Sequence, residues 1–315
     1  MKTKQRKIGF TIVELLTVMA VIAMLMGILV PALNLVRKLA KDVNQKAEFH
    51  SIDVALAAYI NESPTQQYPD SFQSGTKAAG QITVGAQKLA EALLGRDLVG
   101  FDPNSTWNAY ADSQTPAITY TYAKTDPQKT ASLERRQGPY LDPGNAEVFQ
   151  VGNGQLFANT YNVYPGSPQP APVLTDVYRV KNVVSRGKTV MAGTPILYYK
   201  ANTSVTKFPD TNDPLVITIP DPNLNPYIYN SIDNEELIAC GQLKNPNAFH
   251  NFDYINRASF PKPDGSHDGR WWFYKAITDR KITTQSRPYN MTSYILVSAG
   301  ADGIYGTKDD IYNFQ

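Results

Sequence analysis

Cysteine is nearly missing from this chain: Cys240 stands alone among 315 residues, so an internal disulfide framework is excluded and the thiol itself is expected to be a small buried hydrophobe. Histidine is almost as scarce. His50, His250 and His267 are far apart along the chain, which argues against a His-rich metal site, and His50 is expected at the surface. Charge is low at 18%, against roughly 25% in an average globular domain. The 30 basic and 28 acidic residues leave a net charge of +2. That balance excludes a strongly charged disordered tail and offers no electrostatic footprint for nucleic acid. No Gly-x-Ser-x-Gly elbow, phosphate-binding loop, His-Glu-x-x-His or Cys-x-x-Cys occurs, and no internal repeat is visible. The expectation is therefore not an enzyme, although catalytic groups can assemble from distant residues. What is plentiful is Pro (22), Gly (20) and Tyr (19), pointing to a loop-rich, aromatic surface on one large domain or two small ones.

These averages hide an uneven N-terminus. Residues 1–9 carry Lys2, Lys4, Arg6 and Lys7 and no acid, whereas Glu14 is the single charge from Phe10 to Val36. As a helix, residues 10–33 would extend about 36 Å, enough to cross the roughly 30 Å hydrocarbon core of a bilayer. The basic flank should stay cytoplasmic and place the bulk of the chain outside. A cleaved secretory signal would need a small-residue site just after the apolar run. Pro31-Ala32-Leu33-Asn34-Leu35-Val36-Arg37-Lys38 offers none, and the helical pattern continues. A carboxylate within such a helix costs up to about 3 kcal/mol on insertion scales and marks a functional position, unless Glu14 lies close enough to the interface to reach water.

Gly9-Phe10-Thr11-Ile12-Val13-Glu14-Leu15-Leu16 resembles the processing site of type IV pilins and type II secretion pseudopilins. That family has a short basic leader ending in Gly, then Phe, a Glu at the fifth mature position, and a long apolar helix with a Pro about where Pro31 stands. The resemblance covers residues 1 to about 60. It implies that a prepilin peptidase cuts between Gly9 and Phe10 and methylates the new amine of Phe10. It also implies that Glu14 pairs with the N-terminal amine of a neighbouring subunit. The implied partners are identical or related pilin-like subunits and an inner-membrane assembly platform. The implied location is the inner membrane, single-pass, with the head periplasmic or extracellular. An ionised carboxylate in an apolar bundle does need a cationic partner, and a lone pair of this kind fixes register. Loss of residues 1–9 removes four basic side chains and takes the net charge from +2 to −2.

Beyond the apolar run, the spacing of Val36, Leu39, Val43, Ala47, Val54 and Tyr59, with Ala40, Leu56 and Ile60 beside them, predicts an amphipathic extension over residues 34–62. It ends at Asn61-Glu62-Ser63-Pro64, since Pro64 disfavours helix in the residue before it. The whole helix would be roughly 78 Å long, with a kink or local loosening at Pro31. Residues 63–315 form the expected head. Residues 64–83 read as a loop and 86–94 as a helix closed by Gly95. Val173–Val184, Thr189–Lys200, Leu215–Ile219 and Ser293–Ser298 read as strands, with shorter Tyr-rich runs at Ile118–Tyr122 and Tyr161–Tyr164. Ser231–Cys240 reads as a helix, and Arg270–Ile282 suits either state. The expected fold is α+β and pilin-like: a long N-terminal helix packed on an antiparallel sheet with long loop insertions.

After the strand Tyr294-Ile295-Leu296-Val297, residues 298–311 form a Gly-rich acidic loop in which Asp302, Asp309 and Asp310 bracket a turn. Hard cations such as Ca²⁺ take six to eight oxygens from carboxylates and carbonyls on loops of this kind. The alternative is a plain Asp-Gly turn with solvated acids. The segment resembles the C-terminal calcium loop of major type II secretion pseudopilins, which implies Asp302, Asp309 and Asp310 as ligands and the Ala299 carbonyl as a weaker one. Asp264–Gly269 reads as a hydrophilic turn rather than a second metal loop. Trp271-Trp272 reads as core packing rather than a sugar or partner surface. The rival functions are a pilus adhesin or DNA-uptake pilin, of which a DNA binder would need a basic stripe that is not obvious in residues 64–315, and a single-pass anchored enzyme or carbohydrate-binding protein, which predicts no cleavage after Gly9.

Overall fold

The computed structural model describes residues 11–73, 82–105, 107, 121–122, 128–144, 146–152, 155–157, 172–185, 187–211, 221–224, 226–255 and 267–314. The expected strand at Leu215–Ile219 and the Tyr161–Tyr164 run lie outside them, as do residues 118–120 of the Ile118–Tyr122 run. The architecture is α+β, with a long N-terminal helix and antiparallel strands. Helix α1 runs from Ile12 to Glu62, 51 residues, and its assignment is unbroken through Pro31. It ends where Pro64 predicts. The chain divides into two compact units, up to Val43 and from Asn44 to Gln315.

In the first unit, every described side chain except Asp42 is exposed, from Ile12 at 81% to Val43 at 58%. The uncharged apolar surface from Leu15 to Leu33 has no stable place in water, and lipid or other apolar helices are its natural cover.

The second unit begins with the last turns of α1. Gln45, Phe49, Ile52, Leu56 and Tyr59 are buried at alternating four- and three-residue steps, with Ala55 buried beside them. This corrects the expected stripe: Leu56 and Tyr59 do pack, but Val43 and Val54 are each 58% exposed. The face is chosen by what lies opposite it. Gln45 is buried because its Oε1 accepts the amide of Val177 at 3.0 Å, and Asp53 accepts the hydroxyl of Tyr294. Tyr59 meets Phe101 and Tyr140 edge-on, at 5.4 and 5.8 Å between ring centroids.

The central sheet is three-stranded, β5 (Leu197–Lys200), β6 (Tyr294–Ser298) and β7 (Ile311–Tyr312), with both pairings antiparallel. All five residues of β6 are buried, and the period of two sorts them. Tyr294 and Leu296 join α1, Leu89 and Leu93 in one core, while Ile295 and Val297 join Phe273, Tyr274 and Leu237 in the other. A strand buried on both faces reads as a continuous apolar run, as Tyr294–Val297 does.

Helix α2 (Gly85–Leu94) packs on β5, and all ten of its residues are buried. A Cβ on Gly85 would lie 2.5 Å from the carbonyl oxygen of Tyr198, so glycine permits the approach. Asn234 locks the same joint: its Oδ1 accepts the Ala86 amide and its Nδ2 donates to the Tyr198 carbonyl, both at 2.8 Å. The charges on α2 are answered internally, Lys88 by Asp70 at 2.7 Å and Glu91 by Arg96 at 2.9 Å. A short helix α3 covers Gln128–Glu134.

The two long strands expected at 173–184 and 189–200 are each broken in two, giving β2 (Pro172–Leu174), β3 (Lys181–Ser185), β4 (Lys188–Ala192) and β5. Strand β1 (Val148–Gln150) pairs with β2, and β3 with β4, both antiparallel. Asp176, fully buried, makes both breaks. Its Oδ1 accepts the amides of Tyr178 and Thr194, and its Oδ2 accepts the Ser298 hydroxyl at 3.1 Å. Gly193 passes so close that a Cβ there would sit 1.9 Å from the Asp176 carbonyl. The expected helix 231–240 is a 3₁₀ turn (Ser231–Asn234) running into α4 (Glu235–Ile238). Residues 269–277 resolve as helix α5, capped by Asp268, whose Oδ1 accepts the Trp271 amide at 2.7 Å.

Candidate functional site

Two segments carry the expected chemistry. In the N-terminal one, Gly9 and Phe10 lie outside the described residues. Thr11 and Glu14 form a reciprocal cap at the start of α1. The Thr11 amide and hydroxyl donate to Glu14 Oε2 at 2.9 and 2.8 Å, and the Glu14 amide donates back to Thr11 Oγ1 at 3.2 Å. This is the Ser/Thr-x-x-Glu capping box, which satisfies donors that a helix start leaves orphaned. Thr17 adds a hydroxyl bond to the Glu14 carbonyl at 3.0 Å. The functional residue that the lone charge of Glu14 does not reveal is Thr11, whose signal is the four-residue pattern Thr11-Ile12-Val13-Glu14. The arrangement fixes the carboxylate beside the residue that follows Phe10, before any other subunit is present.

The second segment is the loop between β6 and β7. Asp302 Oδ1 accepts the Ile304 amide at 2.8 Å, and its Oδ2 accepts the Thr307 hydroxyl at 2.9 Å. Asp309 donates its amide to Thr307 Oγ1 at 3.2 Å. Asp310 Oδ2 accepts the Gly306 amide at 2.8 Å and the Tyr312 hydroxyl at 2.9 Å, while its buried Oδ1 has no hydrogen-bond partner among the described residues. Burial, opposed by those bonds, pushes the Asp310 carboxyl up to about 7. Gly300 takes φ +66° and passes so close to Asp309 that a Cβ would lie 1.9 Å from its carbonyl oxygen. His250 braces the loop from behind, accepting the Tyr305 amide on Nδ1 at 3.1 Å, and Asn251 donates to the Gly306 carbonyl at 2.9 Å.

The oxygen-only donor set suits a hard cation, and Asp310 Oδ1 is an acceptor in want of a partner. Among the described residues, however, no three His, Cys, Asp or Glu side chains come together as a group that could hold a metal ion. Asp302 spends its oxygens on the turn itself.

The remaining candidates are structural where described. Asp268 caps α5, and Gly269 lies against the backbone of Asp253, where a Cβ would come within 2.6 Å; residues 264–266 are outside the described set. Trp271 is buried and stacked with His267 at 3.7 Å. Cys240 is buried, with its Sγ 3.4 Å from the Glu236 carbonyl. His50 is exposed.

Residues 4–30 match the family model described as the prokaryotic N-terminal methylation motif. That match spans Lys4, Arg6 and Lys7 of the basic leader, Gly9, Phe10, Glu14 and most of the apolar run. It supports a type IV pilin-like prepilin-peptidase substrate, and it implies processing by that peptidase and assembly with pilin-like subunits. Together with the exposed apolar helix, it points to membrane anchoring. No curated protein and no solved structure matches the chain.

Proposed function

We propose that this protein is a pseudopilin-like subunit of a type II secretion or type IV pilus-like filament. It is cut after Gly9, methylated on Phe10, and assembled through its apolar helix to drive export. The observation that carries this reading is the methylation motif over residues 4–30 set on a helix whose apolar side chains stay exposed from Ile12 to Val43. Before assembly the head lies on the outer side of the inner membrane and the basic leader on the cytoplasmic side. The helices then exchange lipid contacts for contacts with one another, a transfer that only the carboxylate of Glu14 opposes by its polarity. A pseudopilin is favoured over a pilus subunit by the absence of a Cys pair and by the acidic loop 298–311, for which we also propose Ca²⁺ held by Asp302, Asp309 and Asp310, with help from the Ala299 carbonyl.

Mass spectrometry of the N-terminus of the protein from its native membrane tests the reading. A chain beginning at methylated Phe10 is expected, and an intact Met1 with residues 1–9 still attached overturns it.

A further inference from the structure

The head carries a cleft of about 780 Å³ that the filament role leaves unused. Its walls are loop 66–72, the end of β5 with the turn after it, loop 222–230, and the two residues before β6. The volume falls within the range of small-molecule sites. The chemistry of the wall narrows the ligand.

Five carboxamides line it: Gln66, Gln67, Asn202, Asn223 and Asn230. Each can donate and accept at once, the property that matches a hydroxyl, which does the same. Two of these side chains are already oriented by the backbone. Asn202 Oδ1 accepts the Ser204 amide at 3.1 Å and Asn230 Oδ1 accepts the Ile232 amide at 3.2 Å, so their NH₂ groups are held in fixed directions.

Net charge in the cleft is small. Asp70 is neutralised by Lys88 at 2.7 Å, and Lys200 faces Gln67 at 3.5 Å. A phosphate or nucleotide would find the carboxylates of Asp70 and Asp233 and, with Lys88 already paired to Asp70, only Lys200 to answer it, which disfavours it. Asp233 forms the floor. It is buried, it takes the Ser71 hydroxyl on Oδ2, and its Oδ1 has no hydrogen-bond partner among the described residues. At the rim Phe72 is 50% exposed, a ring free to pack against an apolar face, whereas Tyr227 across the cleft is buried.

Carboxamides in number, little net charge and one open ring are the recognition set for a pyranose, whose C–H face packs on an aromatic while its hydroxyls bond at the edges. We propose that this cleft binds a short neutral oligosaccharide, stacked on Phe72 and hydrogen-bonded by Asn202, Asn223 and Asn230. The inference stands on the head and does not depend on the filament reading.

The test is calorimetric titration of the full chain, held in a detergent without a sugar headgroup, with cellotetraose, chitotetraose, maltotetraose and mannotetraose in turn. At least one is expected to bind, and Phe72→Ala and Asn223→Ala, both at exposed positions, are each expected to weaken it by about tenfold or more with an unchanged circular-dichroism spectrum. No heat with any of the four overturns the proposal, as does binding that both variants leave intact. Binding of a Lys-rich peptide in place of the sugars also overturns it.

Discussion

Thr11 gives Glu14 two hydrogen bonds to a single carboxylate oxygen, from its amide at 2.9 Å and its hydroxyl at 2.8 Å. The pair therefore does two jobs: it closes the first turn of α1 and holds a carboxylate at a fixed place at the start of that helix. Glu14→Ala removes both. It is expected to leave cleavage after Gly9 largely intact and to abolish incorporation into filaments. Thr11→Val keeps the charge but loses the hydroxyl, and a lost cap of this type costs about 1 kcal/mol, so a partial assembly defect is expected. Immunoblots of processed subunit alongside sheared filament yield separate the two effects. Normal filament yield from Glu14→Ala would sink the assembly role.

The buried face of α1 makes a second prediction. Phe49→Ala and Leu56→Ala empty sites that are 2% and 0% exposed and are each expected to destabilise the head by about 2–5 kcal/mol. Val54→Ala, at a position 58% exposed, is expected to change stability by less than about 0.5 kcal/mol. Denaturant unfolding of the full chain, followed by tyrosine and tryptophan fluorescence, checks both. Equal losses at Val54 and Leu56 would mean that the opposite stripe does the packing.

Acid should help this head rather than harm it, as far as two of its buried carboxyls are concerned. Burial pushes Asp233 from 3.8 to about 7; Ser71 and Lys88 oppose the rise and Asp70 adds to it. Burial likewise pushes Glu235 from 4.5 to about 7, against the pull of Arg270 and with a further push from Glu236, Asp253 and Asp221. Both pKa values are higher in the folded state, so the fold takes up protons. The stabilisation is fully present below about pH 4 and is lost as pH rises through about 7. The melting temperature is expected to be higher at pH 5 than at pH 8, with a smaller difference in Asp233→Asn. An unchanged slope in that variant would assign the effect elsewhere.

Calcium at residues 298–311 predicts heat on titration of the full chain with millimolar CaCl₂ and a rise in melting temperature that grows with metal concentration. Asp310→Asn is expected to lose both responses. A flat titration of the unsubstituted chain removes the metal from the loop and leaves the Asp302–Thr307 turn as its whole purpose.

The parts legible in the sequence are those decided locally. The end of α1 before Pro64, the α2 helix before Gly95 and the all-buried strand Tyr294–Val297 follow from residues that act on their own neighbours. The breaks at 175–180 and 193–196 do not, because they are set by Asp176, whose partners Thr194 and Ser298 lie 18 and 122 positions away. The packed face of α1 was misread for a related reason. Both of its faces carry aliphatic residues, and the choice rests on Gln45 meeting Val177, 132 positions on. Of the candidate site, Glu14 was legible because a lone charge in an apolar run cannot be mistaken. The cleft was not, since its walls come from four separate segments with no local pattern.

A helix with no surface cannot be sampled piecemeal. All ten residues of α2 are covered, Gly85 sits against the β5 backbone, and Lys88, Glu91 and the Asn234 lock all face inward. Its amides should therefore exchange with deuterium only when the entire head opens, and their slow rate becomes a clock for global unfolding. Whatever force a filament transmits to its subunits, that clock would be the first place to see whether the head yields.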